Sequence, residues 1–175
     1  TMTTLHTLSG ALAISSLTLL LALSQTACGG SYGGPASARA DSNAPAEWSA
    51  IAVKTVLDAS AVTPGGVSPM EESRTYAMAF SAAHDALNAI DRRYKPYMSD
   101  LQAPGANADA AVASAVSTVL KANLPSQAAA LDAAYTAALA RLPDGRAKAA
   151  GVTLGQQTAQ AILAARAGDG SANAQ

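Results

Sequence analysis

Residues 68–96, SPMEESRTYAMAFSAAHDALNAIDRRYKP, carry the start, the body and the end of one long helix. Ser68 predicts the N-cap, Pro69 suits the first helical position, and Glu71 completes a capping box. We expect the helix to continue to about Arg93, because Lys95 precedes a proline and that position disfavours helical conformation. A stripe of side chains at helical spacing predicts its core face: Tyr76, Phe80, Ala83, His84, Leu87, Ile90 and Tyr94.

Four further helices are predicted from apolar side chains at helical spacing and from capping or turn residues at the ends. They cover about 45–58, 107–123 with Asn107 as N-cap, 124–142, and 144–168 with Asp144 as N-cap. Their expected core residues are Trp48, Ile51, Ala52, Thr55, Val56, Val112, Val116, Val119, Leu120, Leu131, Tyr135, Leu139, Val152, Leu154, Ile162 and Leu163. Short connections favour antiparallel neighbours, so the sequence predicts an all-α antiparallel bundle of about five helices over residues 44–170. We expect this bundle to be incomplete.

The composition supports helices and limits the size of the core. Half of the 175 residues are hydrophobic but only 4% are aromatic, because alanine dominates. Alanine ranks first in helix propensity, yet its side chain buries little area. The formal net charge is -1 and the basic residues are scattered, so there is no electrostatic footprint for nucleic acid. The composition therefore favours helices around a thin core and argues against nucleic-acid binding.

The N-terminal residues are typical of an export signal. Residues 8–23 form an uncharged apolar run with the length of a secretory hydrophobic region and too short for a bilayer span. No Lys or Arg precedes this run, which departs from the usual pattern. We predict that residues 1–27 are a signal peptide and that the protein is exported to the periplasm or the cell envelope.

Residues 23–31, LSQTACGGS, are similar to a bacterial lipobox and make Cys28 the candidate lipidation site. Cys28 is the only cysteine, so a disulfide within the chain is excluded. Gln25 stands where a lipobox usually has an aliphatic residue, and plain secretion with cleavage near residues 38–40 remains the alternative. Residues 28–43 are rich in Gly, Ser, Pro and Ala, which predicts a flexible tether, and residues 171–175 are a short tail.

His84, Asn88 and Asp91 lie on one side of the predicted long helix and are the first candidates for a site. Asn is a poor zinc ligand and no second histidine follows, so we expect His84 and Asn88 to hydrogen-bond to neighbouring helices. The acidic pair Glu71 and Glu72 lies in the first helical turn, where capping explains it. No serine lies in a Gly-x-Ser-x-Gly elbow, so a hydrolase triad has no visible nucleophile.

The only basic cluster in the sequence is formed by Arg92, Arg93 and Lys95. It lies at the end of the long helix, where cations interact favourably with the partial negative charge of the helix terminus. We interpret it as a solvated helix end rather than an anion site. From the residues alone, the chain has no predicted catalytic, cofactor-binding or metal-binding residue.

Residues 82–97, AAHDALNAIDRRYKPY, resemble the long-helix segment near the start of vanadium-dependent haloperoxidases and the acid phosphatases of the same superfamily. Supporting similarities lie at residues 47–52 (EWSAIA), 131–135 (LDAAY), 143–151 (PDGRAKAAG) and 166–170 (RAGDG). Together these segments span most of residues 47–170 in the order of the family.

The resemblance implies an all-helical fold whose C-terminal half holds vanadate or phosphate through Lys, Arg, backbone donors and histidine. The reaction would be halide oxidation by peroxide or phosphoester hydrolysis. The family motifs are Lys-x6-Arg-Pro, Pro-Ser-Gly-His and Ser-Arg-x5-His, and none occurs in this sequence. No catalytic residue is therefore transferred to this chain, and His84 matches no catalytic histidine of the family.

Two hypotheses follow from the sequence. In the first, the chain is the N-terminal helical scaffold of an exported haloperoxidase-like or phosphatase-like protein and lacks the catalytic half that binds vanadate or phosphate. Its partner would be that half or a second copy, because helices made to pack on a missing half expose apolar stripes. In the second, the chain is a small lipid-anchored helical bundle that binds a partner in the cell envelope, with Cys28 joining it to the membrane.

Overall fold

The computed structural model describes residues 43–171, which form five packed helices and no strand. The helices are α1 (Ala44–Val62), α2 (Pro69–Ile90), α3 (Ala108–Asn123), α4 (Ala128–Ala140) and α5 (Arg146–Arg166), and a 3-10 turn (Pro125–Gln127) precedes α4. The predicted all-α bundle is confirmed. The predicted signal peptide, the lipidation site Cys28, most of the tether and most of the tail lie outside the described residues. Within residues 43–171, no helix has the length and apolar character needed to cross a bilayer.

Helix α3 is the centre of the bundle and contacts each of the other four helices. Every residue from 110 to 117 is buried, as are Val119 and Leu120. A helix that is apolar on all sides is stable only when other elements surround it. Most side chains of α3 are small, so the surrounding helices lie close to its backbone, and the core is thin but continuous.

Most of the predicted core residues of α1, α3, α4 and α5 are buried. The confirmed residues are Trp48, Ala52, Thr55, Val56, Val112, Val116, Val119, Leu120, Leu131, Leu154 and Ile162. The side chain of Trp48 is almost fully buried and anchors α1 in the main hydrophobic cluster. The remaining predicted core residues of these helices are only partly buried: Ile51, Tyr135, Leu139, Val152 and Leu163.

The predicted core face of α2 is confirmed at Ala83 and is otherwise wrong by a rotation of the helix. Its buried residues are mostly small: Thr75, Met78, Ala79, Ala82, Ala83, Asp85, Ala86, Asn88 and Ala89. Tyr76, Phe80 and Leu87 are only partly buried, on the flank of the contact, and Tyr94 lies beyond the helix. Small side chains allow α2 to approach α3 closely, whereas a stripe of aromatic rings would hold the two helices apart. The buried face of α2 is therefore the one whose small side chains allow close contact with α3, and not the one with the largest apolar side chains.

The end of α2, the N-cap of α5 and the end of α1 differ from the prediction. Helix α2 ends at Ile90 and not near Arg93, because the amide oxygen of Asn88 accepts the Arg93 and Tyr94 N–H groups. At the start of the last helix, the sequence predicts Asp144 as the N-cap of α5, but Asp144 does not hold that position. Gly145 holds that position with a φ of 136° and makes no side-chain capping bond.

Asp144 instead pairs with Lys148, with 2.9 Å between carboxylate oxygen and ammonium nitrogen. That contact lowers the pKa of Asp144 through a hydrogen bond and charge attraction. The first helix also runs further than expected and ends at Val62, where the Thr63 N–H donates to the Ala59 carbonyl oxygen at 3.0 Å.

The capping box of α2 is confirmed and gives a first testable prediction. Ser68 Oγ accepts the Glu71 N–H at 3.2 Å, and the Glu71 carboxylate accepts the Ser68 N–H at 3.0 Å. We expect Ser68→Ala to lower the free energy of unfolding by about 1 kcal/mol, since an orphan N–H loses its acceptor. Urea denaturation of the variant and of the parent chain measures the difference.

Ser73→Ala is the matched control, because Ser73 is exposed inside the same helix and alanine has the higher helix propensity. Its stability should be unchanged or slightly higher. Hydrogen bonding to the Ser68 backbone N–H, and secondarily to its side chain, also lowers the pKa of the Glu71 carboxyl group. The carboxylate's share of the stability is therefore present above the unfolded pKa and disappears as the pH falls through the lowered folded value. An equal loss in both variants would contradict the capping assignment.

Candidate functional site

The carboxyl-terminal half of α2 and the loop that follows it form the candidate site. This half of α2 contains His84, Asp85 and Asn88, which belong to the segment that carries the family resemblance. The loop, residues 91–107, turns back along α2 before α3 begins. The three side chains therefore face backbone groups of the loop.

Asp85 is the most buried polar residue of this region, with 1% of its surface exposed. One carboxylate oxygen accepts the Tyr97 N–H at 2.6 Å, and the other accepts the Met98 and Ser99 N–H groups at 2.8 Å each. No lysine or arginine among residues 43–171 pairs with it. Backbone N–H groups therefore compensate its burial, as they do for anions bound at backbone nests.

Asn88 closes the near end of the same loop. Its amide nitrogen donates to the Tyr94 carbonyl oxygen at 2.8 Å, and its oxygen accepts the Arg93 and Tyr94 N–H groups at 3.0 and 2.9 Å. His84 Nε2 lies 3.2 Å from the Lys95 carbonyl oxygen. The expectation that His84 and Asn88 bond to neighbouring helices is therefore wrong, because the returning loop brings its own backbone closer than any other helix.

The basic cluster after α2 is partly neutralised by acidic neighbours. Arg92 pairs with Asp100 and donates to the Leu101 carbonyl oxygen at 3.1 Å. Arg93 pairs with Asp91 at 2.6 Å, and this hydrogen bond raises the pKa of the guanidinium. Asp91, which was expected on the side of His84 and Asn88, thus pairs with the Arg93 side chain instead. Two of the three cations of the cluster are thus paired with carboxylates, and the cluster does not bring together the several converging cations that vanadate requires.

The outer side of the loop presents apolar groups to solvent. Tyr94 is 70% exposed, Tyr97 52% and Met98 46%. Because Asp85 and Asn88 hold the backbone at these residues, the side chains project from a fixed surface rather than a loose one. Exposed aromatic and Met side chains on a fixed backbone are typical of contact surfaces. The exposed side chains of Tyr94, Tyr97 and Met98 are therefore arranged as a contact surface would be.

Metal ligation finds no support in the part of the chain that the structure describes. Residues 43–171 contain no group of three or more His, Cys, Asp or Glu side chains placed to share one ion. Glu71, one of the acidic pair considered from the sequence, serves the α2 capping box. The His84 ring nitrogen that faces the protein is already at a carbonyl oxygen.

Sequence reasoning missed two features of the structure, one in this region and one outside it. Asp85 has a recognisable signal, because it lies on the same helical face as Ala82 and Ala89 and is therefore a polar residue on a buried stripe. The second feature is the approach of Arg74 to Arg166, whose carbonyl oxygen accepts from the Arg74 guanidinium at 3.0 Å. Residues so far apart in the chain leave no local pattern, so only the fold reveals their contact.

The comparisons with known proteins leave the family open. No protein-family model, no curated protein and no solved structure matches this chain. A function for the chain is therefore a proposal, argued from its residues and contacts.

Proposed function

We propose that the chain is the N-terminal helical scaffold of an exported protein of the vanadium-dependent haloperoxidase and acid phosphatase type. The proposal rests mainly on one observation: the polar side chains of α2 within residues 82–97 hydrogen-bond to the backbone of the protein itself. His84, Asp85 and Asn88 all contact the backbone of the following loop. The segment that carries the resemblance thus fixes the shape of the scaffold, and the reactive groups belong to another part of the protein.

The outer face of α1 supplies the surface on which that other part packs. One face of α1 is buried through Trp48, Ala52 and Val56. The opposite face carries a second apolar stripe, with Val53 49% and Leu57 65% exposed. A helix that is apolar on two faces is typical of a position between two packed layers. The proposed catalytic half covers this outer stripe and holds the vanadate or phosphate with its own residues.

Two experiments test the proposal: sequencing of the gene beyond the codon for residue 175, and activity assays of the 175-residue chain. An open reading frame that continues beyond residue 175 and encodes Pro-Ser-Gly-His and Ser-Arg-x5-His supports it, and unrelated sequence there contradicts it. The 175-residue chain supplied with vanadate, bromide and peroxide, or with a phosphoester, should show no turnover. Turnover by this chain alone would overturn the division between scaffold and catalytic half.

A substitution on the outer stripe tests the packing directly. Leu57→Asp should leave the stability of this chain nearly unchanged, because the side chain is exposed, and should abolish activity of the longer protein, because a charge would be buried there without a partner. Gln157→Asp introduces the same charge at an exposed position of α5 and should leave both properties unchanged. Equal activity of the two variants in the longer protein would contradict the proposal.

The exposed loop favours a second function, a small lipid-anchored helical bundle that binds a partner in the cell envelope. Its carrying observation is the fixed display of Tyr94, Tyr97 and Met98. A sharp cooperative melt without binding of a hydrophobic dye supports this function, whereas a broad transition with dye binding supports the scaffold. Mass spectrometry of the envelope fraction tests the anchor at Cys28, and a mature chain that begins at Asp41 without lipid would refute it.

A further inference from the structure

A cleft at the carboxyl end of α5 brings two arginines together. It has a volume of about 250 Å³ and lies between the middle of α2 and the end of α5. Arg74 comes from α2 and Arg166 from α5, and both line the cleft with Ser81 and Tyr97. The volume is below the range usual for organic ligands and suits a small ion.

The two guanidinium groups have different partners. Arg74 donates from Nε to a carboxylate oxygen of Asp169 at 3.1 Å and from Nη2 to the Arg166 carbonyl oxygen at 3.0 Å. Arg166 donates from Nη2 to the hydroxyl oxygen of Tyr97 at 2.6 Å. Among residues 43–171 no carboxylate pairs with Arg166. A guanidinium has five N–H donors, so Arg166 keeps donors for a ligand.

The cleft therefore carries a positive surplus. Hydrogen bonds from Ser171 and Arg74 lower the pKa of Asp169 to about 2, so this carboxylate is charged at any physiological pH. One carboxylate then faces two guanidinium groups. Both arginines are partly buried, where the surplus is less screened by solvent than at an open surface.

We propose that this cleft binds a phosphate group, which accepts hydrogen bonds from Arg166 and Arg74 and lies against the hydroxyl groups of Ser81 and Tyr97. Guanidinium groups match the oxygen geometry of phosphate. A carboxylate also accepts from a guanidinium, but a phosphate carries more charge and more oxygens to share between two guanidinium and two hydroxyl groups. This site does not depend on the proposed scaffold function. Arg166, Asp169 and Tyr97 lie in segments that resemble the family, but the site contains no catalytic motif of the family and no histidine.

The test is a titration of the ¹⁵N-labelled full chain with inorganic phosphate at constant ionic strength, followed through the Nε–H signals of Arg74 and Arg166. The Arg74 signal remains in a variant that lacks Arg166. We expect saturation with a dissociation constant of about 1 mM, the value of a small anion held by a few charge-assisted hydrogen bonds. Acetate should bind more weakly and chloride should cause no saturable shift. Shifts that are equal for phosphate and chloride would reduce the effect to screening and overturn the proposal.

Three variants make the result specific. Arg166→Gln should weaken phosphate binding at least about tenfold, because a charge-assisted hydrogen bond is lost. Asp169→Asn should strengthen it about fivefold, because the phosphate no longer competes with a carboxylate for Arg74. Arg141→Gln, at an exposed arginine paired with Glu47, should leave it unchanged. If Arg166→Gln binds like the parent chain, or if Asp169→Asn weakens binding, the site is not where we place it.

The same titration identifies the source of the phosphate group. Dihexanoyl phosphatidylglycerol, used below the concentration at which it forms micelles, presents a lipid phosphodiester without a membrane. Binding that is tighter than that of inorganic phosphate and depends on Arg166 indicates a lipid headgroup. Binding of inorganic phosphate alone indicates a free phosphate or a phosphomonoester. Either result supports the site, and failure of both probes to saturate refutes it.

Discussion

Gly155→Ala should lower the free energy of unfolding by about 2 kcal/mol, although alanine is the better helix former. Gly155 lies in α5 where the backbones of α5 and α3 approach each other. A Cβ atom at this position would overlap the Ala111 carbonyl oxygen and lie 2.7 Å from the Ser114 Cβ and 2.8 Å from the Ala115 nitrogen. These neighbours are backbone atoms or atoms fixed to it, so they cannot rotate away. The two helices must separate to admit one methyl group.

The sign of this effect is informative because two terms oppose each other. Replacing glycine by alanine inside a helix contributes about 1 kcal/mol of stability through propensity. Overpacking a tight contact typically costs about 1–3 kcal/mol and occasionally more. At Gly155 the overlap with backbone puts the cost at the upper end, which leaves a net loss. Gly151 is in the same situation one turn earlier, where a Cβ would overlap the Asn107 carbonyl oxygen.

Gly168→Ala is the matched control for the close approach. Gly168 follows α5, its φ is not positive, and a Cβ atom at this position would meet no neighbouring atom within 4 Å. Its replacement should leave stability unchanged or raise it by up to about 1 kcal/mol, because the unfolded chain loses freedom. Urea denaturation of the three proteins measures the differences. A Gly155→Ala chain that is more stable than its parent would show that α3 and α5 are loosely packed.

The sequence contained the signals for the helices but not for the contacts between them. Ser68, Pro69 and Glu71 define the start of α2 through bonds within one turn, so the start could be predicted from nearest neighbours. The buried face of α2 depends on how closely α3 approaches, which is a property of two helices. Alanine lies on most faces of these helices. A prediction from periodicity therefore follows the few large side chains, even when they lie at the edge of the buried contact.

The candidate site was only partly predictable for the same reason. The segment with His84 and Asn88 was identified, and its polar side chains are hydrogen-bonded. Their partners depend on the direction that the chain takes after Ile90, which no local pattern determines. Gly151 and Gly155 could have indicated the close contact of α5 with another helix. Two glycines one turn apart lower helix propensity, and they are expected where a neighbouring backbone leaves no room for a side chain.

Asp85→Asn should lower the free energy of unfolding by about 3 kcal/mol, because one carboxylate supports the backbone of the loop at three consecutive N–H groups. Asparagine has the same shape and keeps one acceptor oxygen. Its NH₂ group cannot accept, so the Met98 and Ser99 N–H groups lose their partner, or the Tyr97 N–H does if the amide is reversed. Each lost bond to a buried charge costs about 1.5–3 kcal/mol.

Hydrogen exchange measures the effect at the loop amides that lose their acceptor. The amides of Tyr97, Met98 and Ser99 should exchange about 100-fold faster in Asp85→Asn, since about 1.4 kcal/mol corresponds to a factor of ten. Asp100→Asn removes the same charge from an exposed position in the same loop and should change stability by less than about 1 kcal/mol. Equal effects of the two substitutions would mean that the buried carboxylate does not hold the loop. Because the Tyr97 hydroxyl accepts from Arg166, a released loop should also weaken phosphate binding in the cleft.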